Sequence, residues 1–566
     1  MMAARKVHES DRRSAGLLDP ASVLDPIDAP TMTHGMRAGA ATHPGARITF
    51  VGAAGERSFA LAELHAAGRR AAGGLASLGL RPGDVVAMQL PNWPEAIVAY
   101  VAAAELGVTI APIVHVYGVA EVSFILESSR ARAFVVAATW RGSDLLASVR
   151  AGRRPASLEH VIVVRGAASA GDVAWDSVLE SPPLESAHAT ATDDRALLLY
   201  TSGTTGRPKG VIHTHASIAA EIAQMVRHND ADDDSEVDSE VEGVVEGDAR
   251  REATLVSFPI GHMAGVLGAA RAFYRDGHMI FMEAWDATAA AQLIDKHRVT
   301  RTAGTPLHLL SLFEAADRDD RSLASLSSFL LGATTVSPSV VAAADERGIR
   351  AFRCYGSTEQ PTVSCGRPTD DVDDRARTDG QVLPGVEVRI VDADGAEVAP
   401  GVAGEIQTRG VDLMAGYADP SDDVAALTAD GWYRSGDIGT LDWRGFLTIT
   451  DRLKDVIIRG GENIASKEVE DALLTHPDVR DVAVVGVPDE RLGERVCAIV
   501  VGPADSLSVE ALRAHVIAAG LARQKAPELL VVVDELRRTA SGKIQKHLLR
   551  EALADGSLIG CGRARV

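Results

Sequence analysis

Leu197-Leu198-Leu199-Tyr200-Thr201-Ser202-Gly203-Thr204-Thr205-Gly206-Arg207-Pro208-Lys209-Gly210 decides how this chain is read. The four apolar residues at its head predict a short buried strand, after which the chain turns abruptly to Thr, Ser and Gly. Glycine tolerates positive φ and lets a backbone approach closely. Thr201, Ser202, Gly203, Thr204, Thr205 and Gly206 can therefore aim N–H groups and hydroxyls at one anion. Lys209 adds a mobile cation. Such a loop holds a polyphosphate. It is not the ordinary G-x-x-x-x-G-K-[ST] loop. Counting from Gly203, Pro208 takes the slot that needs Gly, and Gly210 stands where Ser or Thr should follow the lysine.

At 566 residues the chain needs more than one hydrophobic core. The polar start, Met1–Arg13, lacks the apolar run of a secretory signal. The longest apolar stretch, Ala96–Tyr117, is broken by Glu105, Gly107 and Pro112, so no transmembrane segment is expected. Cys354, Cys365, Cys497 and Cys561 show neither metal-ligand spacing nor a disulfide pattern, which fits a reducing cytoplasmic setting. A net charge of −21 speaks against a nucleic-acid partner, because phosphate backbones want a basic surface. Much of that charge is local. Asp230 to Glu252 holds eleven acidic residues against two arginines and few large apolar ones, so residues 229–252 read as a solvated, disordered insertion.

Along the chain, helical and strand patterns alternate. A hairpin is predicted at Ile48–Val51 and Ser58–Leu61, then helix Leu61–Leu78, strand Asp84–Leu90, and helix and strand in turn through Ala138. The alternation resumes from Thr254 to Cys354. This predicts an α/β fold with parallel sheets covered by helices, whose sites collect at the carboxyl ends of strands. From Pro384 the pieces become β-rich, as in a small β-subdomain. Beyond the charged Asp451-Arg452-Leu453-Lys454-Asp455 comes a compact α+β unit. Residues 1–42 are expected to be a loosely ordered lead-in, 43–453 the N-terminal domain, and 454–566 a C-terminal lid domain.

Five further motifs follow the phosphate loop in order: Tyr355-Gly356-Ser357-Thr358-Glu359, Gly404-Glu405 with Gly416-Tyr417, Gly431-Trp432-Tyr433-Arg434-Ser435-Gly436-Asp437, Asp451–Asp455, and Thr539-Ala540-Ser541-Gly542-Lys543-Ile544. Together they resemble the adenylate-forming (AMP-binding) superfamily, on its acyl-CoA synthetase branch, over roughly Ser58 to Leu549. The resemblance implies a two-step reaction. A carboxylate attacks the α-phosphorus of ATP, giving acyl-AMP and pyrophosphate. A coenzyme A thiol then takes the acyl group and AMP leaves. A carboxylate needs no general base, so the demand is for charge neutralisation and in-line positioning.

By the same resemblance, Glu359 is the Mg²⁺-linked carboxylate and Thr358 the α-phosphate contact. Asp437 and Arg452 hold the ribose. Tyr355, Gly356 and Gly332-Ala333-Thr334 flank the adenine. Lys543 bridges the reacting carboxylate and the α-phosphate, stabilising charge that builds in the transition state; acetylation would remove its charge and act as a switch. The small domain is mobile about a hinge at Lys454, and Gly460 and Gly461 let a thin pantetheine arm pass. His262 gates the acyl and thiol channels, while His213 and His215 are read as structural. His262, Met263, Val266, Leu267, Gly304, Thr305, Leu307, Gly332 and Pro361 are expected to line the acyl pocket. No acid stands beside His262 to pair with a substrate ammonium, so a neutral fatty, alicyclic or aromatic acid is expected rather than an amino acid.

Two features depart from the family pattern. Arg537 stands where a proline usually precedes the lysine loop, an exchange expected to loosen it, and the acidic insertion is long. Two other readings stay open at this point: an acyl-AMP ligase that loads a carrier protein, and a catalytically inactive nucleotide-binding homologue.

Overall fold

The computed structural model describes residues 29–151, 154–201, 208–233, 252–334, 336–459, 462–489, 491–539 and 543–558. Ser202, Gly203, Thr204, Thr205 and Gly206 of the phosphate loop, Gly460, Gly461 and most of the acidic insertion lie outside this set.

The first element departs from the loose lead-in expected for residues 1–42. Met32–Thr42 is a helix, α1, capped by Thr31, whose hydroxyl accepts from His34 N–H at 3.1 Å. Met32 and Met36 are buried in the main core. Arg37 grips the buried Glu105 with both arms of its guanidinium, at 2.7 and 3.1 Å. Gly35 and Gly39 make this segment look like coil in the sequence. Packing requires them: a Cβ on Gly39 would lie 1.5 Å from the Phe273 carbonyl oxygen, and one on Gly35 1.7 Å from the Tyr274 hydroxyl.

Two sheets form the body of the molecule. The eight-stranded sheet is parallel from Val173–Ala174 through His160–Val164, Ala133–Ala137, Val85–Gln89 and Thr109–Pro112 to Arg195–Thr201, called β1. Beside β1, and antiparallel to it, runs Lys209–Thr214, β2. The sequence reading passed directly from the phosphate loop to a helix; the structure inserts this strand before the helix. The helix follows as His215–Asp233, α2. Strand Ala133–Ala137 is buried on every residue, as in a sheet covered on both faces.

The nine-stranded sheet has a parallel centre. Ala253–Val256 (β3) lies between His278–Met282 and Arg301–Gly304. The helix Met263–Arg271 (α3) leaves the sheet after β3. Ser328–Leu331 and Arg350–Tyr355 (β4) continue the sheet. One side chain joins the two sheets. Asn92 donates to the carbonyls of Phe258 (3.0 Å) and Met282 (2.9 Å) and accepts from Ile260 N–H (2.7 Å), which fixes the turn that carries His262.

A four-stranded antiparallel sheet contains Tyr433–Leu441 (β5) and Leu447–Arg452 (β6), in which Asp437 stands opposite Arg452. A five-stranded sheet follows, with helices including Ser466–Leu473 and Val509–Ala518 packed around its own core of Val469, Leu473, Val484, Leu512 and Val516. Its parallel edge strand Leu529–Val533 and the helix Lys546–Ala554 are additions to the sequence reading. Among the described residues no helix is long and apolar enough to cross a membrane.

Candidate active site

The hairpin register sets Thr201 opposite Lys209 at the mouth of the loop. Lys209 Nζ sits 3.0 Å from Asp422 and 5.0 Å above the Tyr417 ring. Tyr417 in turn donates its hydroxyl to Glu359 Oε1 at 2.7 Å. Lysine, tyrosine and glutamate thus form one connected line beside the phosphate hairpin.

The Tyr355–Glu359 segment extends from the carboxyl end of β4. Gly356 packs so tightly that a Cβ would lie 1.9 Å from the Pro361 carbonyl. Ser357 Oγ accepts from the N–H groups of Glu359 and Gln360, both at 3.2 Å, closing the turn. His213, fully buried on β2, holds this turn from behind: Nε2 donates to the Thr358 carbonyl at 2.7 Å and Nδ1 faces Ser217 Oγ at 3.1 Å. Burial lowers the His213 pKa to about 4, so the ring is neutral and can make that donor–acceptor pair. Glu221 on α2 accepts from Thr362 Oγ1 at 2.6 Å, and Asp412 accepts from Gln360 Nε2 at 2.9 Å. Burial pushes both of these carboxyls well above the usual carboxylate range, and Asp412 raises Glu221 further.

Asp437 is buried, taking Tyr355 Oη at 2.8 Å on one oxygen and Arg452 Nε at 3.0 Å on the other. Each oxygen keeps a second lone pair, so a fixed bidentate acceptor remains for a diol. Ala333, in the Gly332–Thr334 segment, takes a left-handed φ of 66°, which a side-chain-bearing residue adopts only under tertiary constraint. His262 caps α3, its Nδ1 accepting from Ala264 N–H at 3.3 Å. Burial holds this ring neutral, its pKa lowered to about 4.

Lys543 approaches from the small domain. Its backbone is clamped by Thr539, whose N–H donates to the Lys543 carbonyl at 2.8 Å and whose hydroxyl accepts from Lys543 N–H at 3.1 Å. Gln545 N–H donates to the Arg537 carbonyl at 3.0 Å, and Arg538 pairs with Asp481 at 2.7 Å. These contacts tie the described residues on either side of the loop, while residues 540–542, where the loosening expected from Arg537 would fall, lie outside the described residues. Burial, with Arg452 and then Lys454 close by, lowers the Lys543 pKa to about 7; Asp437 and Asp455 partly offset this.

These residues share one cavity of about 2580 Å³, lined by Thr201, Lys209, Tyr355, Thr358, Glu359, Asp437, Arg452 and Lys543. Gly332, Ala333, Thr334, Gly356 and Lys454 also line it. So do His262, Met263, Leu267, Thr305, Leu307 and Pro361 of the expected acyl pocket. Val266 and Gly304 do not. Val266 is buried in the main core, and a Cβ on Gly304 would meet His308 and Phe329 rather than open space. Sequence reasoning missed Asn92, the bracing role of His213, and the cavity residues Ile222, Met225, Phe258 and Arg271. The last could have been found by following α3 in steps of four from Met263, through Leu267, to Arg271.

The sequence signature of the AMP-binding enzyme family spans residues 36–418, and that of the AMP-binding enzyme C-terminal domain spans 468–543. The chain belongs to the AMP-binding enzymes. This AMP-binding enzyme is 34% identical over 482 residues to the medium-chain fatty-acid–CoA ligase of Escherichia coli (strain K12), covering 84% of this chain and 82% of that one. It is 32% identical over 503 residues to feruloyl-CoA synthase of Amycolatopsis sp, covering 88% and 94%. ATP-bound MatB from Rhodopseudomonas palustris shares its fold with a TM-score of 0.77 at 26% identity, covering 96% and 99%. The enzyme lies on the acyl-CoA synthetase branch and is an AMP-forming, ATP-dependent carboxylate–CoA ligase.

Proposed function

We propose that this ligase activates an acid with an apolar fatty, alicyclic or aromatic body, and that Lys543, Thr358, Glu359, Asp437 and Arg452 carry the adenylation step. The observation behind this reading is one cavity in which Thr201, Lys209, the Asp437–Arg452 pair and Lys543 converge with the apolar Met263, Leu267 and Leu307. Asp437, fixed by Tyr355 and Arg452, takes the ribose hydroxyls. The hairpin with Lys209 takes the β- and γ-phosphates. Thr358, its carbonyl braced by His213, meets the α-phosphate. Lys543 then faces the oxygens on which negative charge accumulates as the carboxylate attacks phosphorus and pyrophosphate departs.

The residues also suit Mg²⁺. No cluster of three or more His, Cys, Asp or Glu side chains able to cage a metal exists among the described residues. Mg²⁺ keeps several waters and takes one or two carboxylates plus substrate phosphates. Glu359, oriented by Tyr417, offers such a carboxylate; the ion would neutralise phosphate charge.

For thioester formation the domain from 454 onward rotates about Lys454, withdrawing Lys543 and bringing the Gly460-Gly461 segment to the pantetheine arm. His262, held neutral, stands at the junction of the acyl arm and the nucleotide site. We place the enzyme in a reducing cytoplasm, where Cys354 and Cys365, facing each other across paired strands, stay free thiols.

The test is Lys543→Ala, assayed by acid-dependent pyrophosphate release and by ATP binding in parallel. The expected outcome is a fall in kcat of about 10²–10³-fold, the scale of losing a charge-stabilising donor, with ATP affinity changed less than about tenfold. A small effect on kcat would remove Lys543 from the chemistry. Acyl-AMP that forms but never passes to CoA would redirect the second half-reaction to a carrier-protein thiol.

A further inference from the structure

The acyl arm of the cavity runs along α3. His262 caps the helix at the nucleotide end; Met263, Leu267 and Arg271 follow at four-residue spacing and all line the arm. At the helical rise, Arg271 lies about 14 Å along the axis from His262. The arm is therefore apolar along its shaft and ends at a guanidinium.

That guanidinium has no hydrogen bond or ion pair among the described residues, whereas both neighbouring arginines are engaged. Arg275 and Arg301 hold Glu252 at 2.8 and 3.3 Å. Arg353 is matched by Asp379 at 2.6 Å. Asp276 lies at the exposed rim. Glu221 is kept in its protonated form by burial and by Asp412. Among the described residues, Arg275 and Arg301 pair with Glu252, and Arg271 stands near all three without a hydrogen bond of its own to any of them. Arg271 is also desolvated strongly enough that its basicity falls below the ordinary arginine value. A desolvated cation without a partner is costly, and a planar fork of N–H donors is shaped for a carboxylate.

We infer that Arg271 is a specificity-determining residue that selects acids bearing an oxygen acceptor, best a second carboxylate, at the end remote from the reacting carboxyl. This rests on the cavity being the acyl site proposed above, and it alters the expectation of a neutral acid at one place only, the far end.

The experiment compares decanoic acid, its terminal methyl-ketone analogue and decanedioic acid in ATP-dependent pyrophosphate release, with wild type, Arg271→Met and Arg271→Lys. Expected for wild type is a kcat/KM for decanedioic acid at least about tenfold above that for decanoic acid, the scale of one added charge-assisted hydrogen bond. Arg271→Met should abolish that ratio through KM, and Arg271→Lys should restore part of it. A ketone acid that outperforms the diacid would assign the subsite to a neutral acceptor. Wild type preferring decanoic acid, or a preference unmoved in Arg271→Met, overturns the assignment. If both variants fail to fold, the wild-type ratios alone decide. Pyrophosphate release with every acid regardless of its far end would remove only the role of Arg271, whereas release with none would remove the reading of the acyl site itself.

Discussion

Burial beside Arg452 and Lys454 lowers the Lys543 pKa to about 7. With a pKa of about 7 where it stands, against about 10.4 for a free lysine, Lys543 would bind fewer protons here than after the proposed rotation carried it into solvent. Closure over an empty site therefore becomes more favourable as pH rises from about 7 to about 10.4, and below about 7 it bears the full cost of an ammonium beside Arg452 and Lys454. A bound triphosphate reverses this by supplying negative charge. In the nucleotide-free enzyme, acetic anhydride should label Lys543 at near-neutral pH, and ATP with substrate acid should protect it, as read by peptide mass spectrometry. Labelling that begins only near pH 10 would show that the lysine is not desolvated. Glu221 shows the opposite sign. Its folded-state pKa is raised, so the native protein retains a proton that the unfolded chain would release above about pH 4.3, and stability drains away as pH rises. Glu221→Gln keeps the acceptor for Thr362 and should raise stability at pH 8 by about 1–2 kcal/mol, the gain vanishing near pH 4 in thermal melts. The residues proposed for the reacting centre sit in unbroken motifs, so the sequence alone could nominate them. Asn92 and His213 were not. Their roles come from contacts spanning 168 and 145 residues, and only folding brings those partners together.

Elements with a clean period were legible almost to the residue: the helix expected at Leu61–Leu78 spans Leu61–Ser77, and the strand expected at Asp84–Leu90 spans Val85–Gln89. α1 was hidden by its own packing. The glycines that lower its helix propensity are those that let Phe273 and Tyr274 press against it, so the local signal and the tertiary requirement point in opposite directions. Its contribution to stability is therefore testable at a position the sequence reading left in loose chain. Met36→Ala should cost about 3 kcal/mol, the usual scale for emptying a buried methionine site. Ala38→Ser on the exposed face should cost less than about 0.5 kcal/mol. Denaturant melts of the two variants would give equal midpoints if α1 were only loosely docked. β2 was missed for a related reason. Its β-branched Val211, Ile212 and Thr214 suit a strand, but the run is short and interrupted by Gly210 and His213, and its order comes from pairing on both sides, with β1 and with Gly416–Tyr417.

Across the whole molecule, the segment proposed as a hinge is bracketed by polar contacts. Asp451 accepts from Ser466 N–H at 2.5 Å and from its hydroxyl at 3.0 Å, Arg550 pairs with Asp455, and Lys546 pairs with Glu470 at 2.7 Å. If rotation about Lys454 separates the two half-reactions, fixing φ there should block the second without the first. Lys454→Pro is expected to keep pyrophosphate release within a few-fold while acyl transfer to CoA slows by about tenfold or more, the pattern of an impaired conformational step; single-turnover traces with preformed acyl-AMP would show it. Equal losses in both steps would argue against a hinge at that residue. If Lys209 takes the β- and γ-phosphates as proposed, the Lys209–Asp422 contact makes nucleotide entry an exchange of anions. An incoming polyphosphate tail must displace a carboxylate already in place, and when the tail departs as pyrophosphate that carboxylate reclaims the lysine. AMP lacks the tail and cannot compete for this position. The contact would act as a ratchet, hindering the return of pyrophosphate and biasing each cycle toward the thioester.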